Sequence, residues 1–167
     1  MIIVCPLSAV QRLVDDHGVG QVVSLLGPET PHRSFTGIAA DQHLQLTFHD
    51  IVEPIDGFTA PRHEDAETLV DFLGRWDRAN PLLIHCWAGI SRSTAAAFTA
   101  LCMLRPEMAE ERIAKELRRA SPSATPNRLI VSHVDKILGR EGRMVSAIDR
   151  IGRGADAFEG VPFTLKP

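Results

Sequence analysis

Cys86 and Arg92, separated by five residues, frame the part of the chain whose residue types can do chemistry: His85-Cys86-Trp87-Ala88-Gly89-Ile90-Ser91-Arg92-Ser93-Thr94. The apolar run Pro81-Leu82-Leu83-Ile84 precedes them, and a helix-forming run from Thr94 to Leu104 follows. Strand, tight loop and helix in that order can hold an oxyanion. The backbone N–H groups of residues 87–92 are expected to turn inward, toward the spot that the free N–H groups and dipole of the new helix also face. Gly89 permits a backbone turn that a side chain would resist. Arg92 can fork two N–H bonds onto two oxygens of one phosphate. Cys86, on the floor of such a positive bowl, is expected to be a thiolate. A thiolate facing a bound phosphate is a nucleophile for phosphoryl transfer.

The string His85-Cys86-x5-Arg92-Ser93 resembles the signature of the cysteine-dependent protein tyrosine phosphatases. The wording Ala88-Gly89-Ile90-Ser91-Arg92-Ser93 is most similar to their dual-specificity-like bacterial branch. Residues 43–130 carry the resemblance. It implies a single α/β domain whose four-stranded, mostly parallel sheet runs in the order 1-4-2-3. It also implies hydrolysis of phosphotyrosine, with phosphoserine and phosphothreonine as further substrates, through a phosphocysteine. The partner is then a phosphorylated protein or a small phosphomonoester, and no cofactor or metal is needed. By the same resemblance Ser93 hydrogen-bonds the sulfur, against the plainer reading of a first-turn serine. His85 orients the loop through backbone hydrogen bonds and helps depress the thiol pKa without touching substrate. Asn127 lies where related enzymes bring a polar side chain near the pocket, and it also reads as a simple helix-start Asn. Relatives specialised for inositol lipids add Lys within the loop; residues 87–91 contain none.

Cleaving a phosphomonoester requires a proton donor for the leaving oxygen. The donor must stand at the C-terminal edge of the sheet, where active sites of open α/β sheets lie. Asp50, just past the third expected strand and 36 residues before Cys86, is the first choice. Glu53 and Asp56 are rivals, Asp56 with the competing role of a turn residue before Gly57. Trp87 and Phe58 are candidate aromatic walls of the pocket.

The elements that must position these residues follow from the apolar pattern. Residues 1–5 read as a buried strand, and Ser8 as the cap of a helix ending near Gly18. Gln21 to Leu26 reads as a second strand and residues 43–48, which alternate polar and apolar, as a third. A helix with Ala66, Leu69, Val70, Leu73 and Trp76 on one face runs to Asn80-Pro81. The central strand and the apolar helix 94–104 come next. A polar helix then runs to about Ala120, and another, capped by Thr125 with Pro126 first, stops at Gly139. A short helix covers 143–151. The domain is expected to span 1–151, with 152–167 an extended tail. That tail is the candidate cover for the first strand, which is uniformly apolar yet lies at an edge.

Composition bounds the alternatives. The chain has 167 residues, 44% hydrophobic and 23% charged, with net charge −3. One ordinary domain is expected. No Lys/Arg cluster is dense enough to follow a nucleic-acid backbone. No signal peptide, anchor or membrane partner is expected. The seven histidines and three cysteines show no metal-ligand spacing. A reducing cytoplasm suits a catalytic thiolate.

Cys5 ends the first strand as Cys86 ends the fourth, and in the order 1-4-2-3 these strands are neighbours. Two readings stand. Cys5 is either a redox partner able to capture oxidised Cys86 or a small buried apolar residue. Rival readings of the whole are a phospho-residue binding module without hydrolysis, and a sulfurtransferase or arsenate reductase using the same loop.

Overall fold

The computed structural model describes residues 1–167. Five strands form one sheet: β1 (Ile2–Pro6), β2 (Gln21–Leu26), β3 (His43–Thr47), β4 (Leu82–Cys86) and β5 (Phe163–Leu165), in the order β3-β2-β4-β1-β5. The expected order 1-4-2-3 holds, and β5 extends the expected four strands to five. The four longer strands pair in parallel, while β5 runs antiparallel along β1. The exposed edge of an apolar strand is thereby covered by the segment expected as a tail. Every residue of β4 is buried, as its apolar run between two parallel neighbours requires. On the other edge, β3 buries only Leu46.

Six α-helices complete the fold: α1 (Val10–His17), α2 (His63–Gly74), α3 (Arg92–Leu104), α4 (Glu110–Ala120), α5 (Arg128–Ile137) and α6 (Arg143–Ile151). They cover the sheet unequally. One face, with Ile2, Val4, Val23, Leu25, Ile84 and Cys86, packs into the main core with α2–α6. The other, with Ile3, Cys5, Val22 and Leu83, meets a smaller cover of α1 with Ala9, Val19, Phe35 and Ile38. Helix α3 is buried from Arg92 through Cys102, because its Ala-rich run admits close approach of the sheet and of α5, α4 and α2. No helix is long and apolar enough to cross a membrane.

Three local expectations are corrected. Ser8 lies in a 3₁₀ turn ahead of α1, and its hydroxyl donates to Glu159 Oε1 at 2.5 Å instead of capping the helix. Helix α2 ends at Gly74; Trp76 follows it, buried, with Nε1 donating to the Asn80 carbonyl at 2.9 Å. Asn127, not Thr125, caps α5: its Oδ1 accepts the N–H groups of Leu129 and Ile130, both at 3.1 Å.

Candidate active site

Strand β4 delivers Cys86 to the C-terminal edge of the sheet, residues 87–91 turn back on themselves, and Arg92 opens α3. The turn depends on Gly89, whose φ is +74°. A Cβ there would stand 2.7 Å from the Pro6 nitrogen and 2.8 Å from the Cys5 carbonyl carbon. Both the left-handed conformation and the close packing on the end of β1 require glycine.

Loop carbonyls are taken up by neighbouring segments. Trp87 O accepts from Leu7 N at 3.1 Å, Ala88 O from Gly160 N at 2.8 Å, Ile90 O from Thr125 N at 2.9 Å and Ser91 O from Asn127 N at 3.3 Å. Thr94 Oγ1 adds a second bond to the Ile90 and Ser91 carbonyls. With these carbonyls tied outside the turn, its N–H groups are left to the inside. Gly89 N–H donates to Cys86 Sγ at 3.2 Å, whereas those of Trp87, Ala88, Ile90, Ser91 and Arg92 have no protein acceptor. Ser93 Oγ lies 3.2 Å from the same sulfur. Five loop N–H groups are thus free of protein acceptors, while the Gly89 N–H and the Ser93 hydroxyl meet Cys86 Sγ.

Arg92 is 6% exposed. Its Nη1 donates to the Phe48 carbonyl at 3.0 Å, which anchors the guanidinium beneath the end of β3. Its buried Nε has no hydrogen-bond partner; the nearest carboxylate oxygen, Asp50 Oδ2, is 3.8 Å away. A buried donor left without an acceptor is costly, and a ligand oxygen would remove that cost.

Asp50 stands at the rim. Its Oδ1 accepts from Ser91 Oγ at 2.7 Å and from Asn127 Nδ2 at 2.8 Å. Asn127 thus uses both ends of its amide: the oxygen caps α5, and the NH₂ holds Asp50 and the Ile51 carbonyl, the latter at 3.1 Å. Glu53 and Asp56 are both exposed, on the loop after Asp50. Phe58 packs on His49, ring centroids 4.8 Å apart, and Trp87 pairs edge-on with Phe158 at 5.4 Å.

His85 points to the opposite face of the sheet. Its Nε2 lies 2.5 Å from Ser24 Oγ, which lies 2.7 Å from His43 Nε2; His43 Nδ1 is 3.3 Å from Gln45 Nε2, and His85 Nδ1 is 3.4 Å from the Cys86 carbonyl. One assignment of protons satisfies the whole row. Gln45 N–H donates to His43, His43 to Ser24, Ser24 to His85, and His85 Nδ1–H to the Cys86 carbonyl. Burial above all lowers the His85 pKa to about 3, with smaller contributions from His43, His32 and Arg92 and against the opposing hydrogen bond to the Cys86 carbonyl, so the ring is neutral. His85 thus meets the loop as a neutral hydrogen-bonding ring. A serine amid the apolar residues of β2 is the sequence signal that points to this row.

Cys5 and Cys86 do not face each other. In the register of β1 and β4, Cys5 stands opposite His85, and Cys86 opposite Pro6. The two thiols belong to cores on opposite faces of the sheet. Side chains alternate along a strand, so the one-residue offset sends them apart. All three cysteines are free. No group of His, Cys, Asp and Glu side chains is arranged to hold a metal ion.

No protein-family model and no curated protein sequence matches the chain. Solved structures do. DUSP15 is similar at 15% identity with a TM-score of 0.63, over 89% of this chain and 90% of that one. Human DUSP28 is similar at 18% identity and TM-score 0.62, over 84% and 94%. PTPMT1, solved in complex with PI(5)P, is similar at 15% identity and TM-score 0.57, over 84% and 94%. Such neighbours give no support to the bacterial branch expected from the loop wording. At these identities the likeness concerns architecture: the chain has the fold of the dual-specificity and protein tyrosine phosphatases.

Proposed function

We propose that the chain is a phosphoprotein phosphatase that hydrolyses phosphotyrosine, and phosphoserine or phosphothreonine in addition, through a phosphocysteine. One observation carries the reading: five loop N–H groups and the buried Nε of Arg92 lack a protein acceptor in the same turn whose Gly89 N–H and Ser93 hydroxyl meet the sulfur of Cys86. This is a preorganised site for the equatorial oxygens of a phosphoryl group, the positioning and charge stabilisation on which phosphoryl transfer depends.

In the first step Cys86 Sγ attacks phosphorus, the P–O ester bond breaks, and Asp50 gives its proton to the leaving oxygen. Ser91 and Asn127 occupy Asp50 Oδ1, which leaves Oδ2 to carry that proton. In the second step a water oxygen attacks phosphorus, its proton passes to Asp50, and the S–P bond breaks. The Ser93 hydroxyl, in contact with the sulfur, donates to the departing thiolate. Inorganic phosphate leaves and the starting protonation state returns. We place the enzyme in a reducing cytoplasm, where the thiolate survives.

The test is hydrolysis of p-nitrophenyl phosphate, run beside thiosulfate:cyanide transfer and arsenate reduction. Activity that persists in EDTA and is blocked by vanadate supports the reading. Turnover that needs a divalent ion, or appears only in the sulfur or arsenate assays, overturns it. PI(5)P, bound by PTPMT1 in its solved complex, serves as a counter-substrate. With no Lys in residues 87–91, turnover on it is expected to be poor.

A further inference from the structure

The segment after α6 is stitched to the phosphate loop along its length. Gly154 N–H donates to Thr125 Oγ1 at 3.0 Å, and Ala155 N–H to the Pro122 carbonyl at 2.9 Å. Thr125 in turn bonds the Ile90 carbonyl. Gly160 N–H reaches the loop directly, at the Ala88 carbonyl. A Cβ at Gly160 would lie 3.1 Å from the Gly89 oxygen and 3.3 Å from the Ala88 oxygen, so glycine is what lets the segment press against the loop. Beyond it, β5 pairs with β1 and anchors the segment's far end. Ser8 holds Glu159 between these fixed points.

Phe158 rides on this segment and is 83% exposed, so its ring contributes almost nothing to the core. Its aromatic partner is Trp87, itself 46% exposed and the residue next after Cys86. An exposed aromatic pair beside a reactive group invites a ligand. The rings meet edge to face, at 84°, the geometry in which aromatic groups attract. An aryl phosphate held at Cys86 offers a third ring to the pair that starts at the next residue, Trp87, whereas an alkyl phosphate offers only a methylene.

We propose that two residues of the segment after α6 are working parts of the active site: Gly160 holds the phosphate loop in shape, and Phe158 with Trp87 forms an aromatic wall that favours aryl over alkyl phosphate esters. The inference rests on the phosphatase reading above and adds a specificity residue and a positioning residue to it.

Two probes separate the roles. Tungstate, a ringless oxyanion, reports on the loop alone; phenyl phosphate reports on loop and wall together. Phe158→Ala is expected to raise the KM for phenyl phosphate by about three- to tenfold, the range of one aromatic contact, with the tungstate inhibition constant unmoved. Gly160→Pro, which removes the N–H donor, is expected to lower kcat and weaken tungstate; Gly160→Ala, which keeps the donor and crowds the loop, does the same to a smaller degree and serves if the proline variant does not fold. Val161→Ala, an exposed neighbour, leaves both readouts as in the wild type. A wild-type KM in Phe158→Ala, or equal shifts of KM and tungstate inhibition, overturns the wall. Wild-type tungstate inhibition in both Gly160 variants overturns the positioning role. In either case the phosphatase reading stands, provided the wild type hydrolyses phenyl phosphate. A wild type that neither hydrolyses it nor binds tungstate overturns both.

Discussion

Cys86 ends β4 and Cys5 lies one residue short of the end of the neighbouring parallel strand β1, and each is 1% exposed. Burial pushes the Cys5 thiol up to about 12, and the nearby Cys86 pushes it in the same direction, against a smaller opposing pull from Arg12. The two cysteines differ in the chain that leaves them. Beyond Cys5 it continues into Pro6, which has no N–H to offer, and then into a 3₁₀ turn. Beyond Cys86 it turns at Gly89, sends an N–H to the sulfur and brings Ser93 beside it. Equal burial thus accompanies two chemistries. The segment after the cysteine, not the strand that carries it, decides what surrounds the sulfur.

The largest effect that can break this comparison is loss of the nucleophile. Cys86→Ser is expected to reduce p-nitrophenyl phosphate turnover by at least about 10⁴-fold, as removal of a covalent nucleophile does. Cys5→Ser and Cys102→Ser keep turnover within a few-fold of wild type. An equal loss in Cys5→Ser would mean that the two thiols are not functionally distinct.

Next comes Asp50, the proposed proton donor, which is bonded to Ser91 of the Cys86 loop. Asp50→Asn is expected to lower kcat by about 10²–10⁴-fold and to flatten the basic limb of the pH–rate profile. Glu53→Gln and Asp56→Asn leave both near wild type. The reverse pattern would move the acid role along the loop.

Alkylation sharpens the contrast without mutation. Brief exposure to iodoacetamide at neutral pH, with peptide mass mapping afterwards, is expected to label Cys86 and to spare Cys5 and Cys102. The latter two are buried thiols with pKa raised to about 12. Label on Cys5 ahead of Cys86 would contradict the assignment.

The smallest effect concerns His85, the register partner of Cys5. Its folded pKa is lowered to about 3 from the ordinary histidine value of 6.5. Between those values the unfolded chain binds a proton that the folded chain does not. Stability is therefore present above pH 6.5 and declines as pH falls toward 3. His85→Gln is expected to flatten this acid slope of Tm against pH between about 6.5 and the onset of carboxylate titration near 4. An unchanged slope would show that His85 is not the group responsible.

Much of the site was legible in residue order. Cys86, Gly89, Arg92 and the start of α3 lie within ten consecutive residues, so local geometry dictates their arrangement. The buried strand β4 and the apolar helix α3 followed from composition and period alone. The order of the first four strands came from the family resemblance; the alternation of strands and helices by itself gave only a mostly parallel sheet. Contacts between residues distant in sequence were not legible. Asn127 reaches Asp50 across 77 positions, and Ser24 reaches His85 across 61. Nothing in the local pattern shows which end of an Asn amide caps a helix and which is free to donate. The relation of Cys5 to Cys86 also belonged to the tertiary structure. Strand order makes them neighbours, but a one-residue register offset decides which face each thiol takes. The same holds for residues 153–165, whose glycine- and proline-containing sequence reads as a tail until β1 supplies an edge to pair with and the loop after β4 supplies a carbonyl to bind.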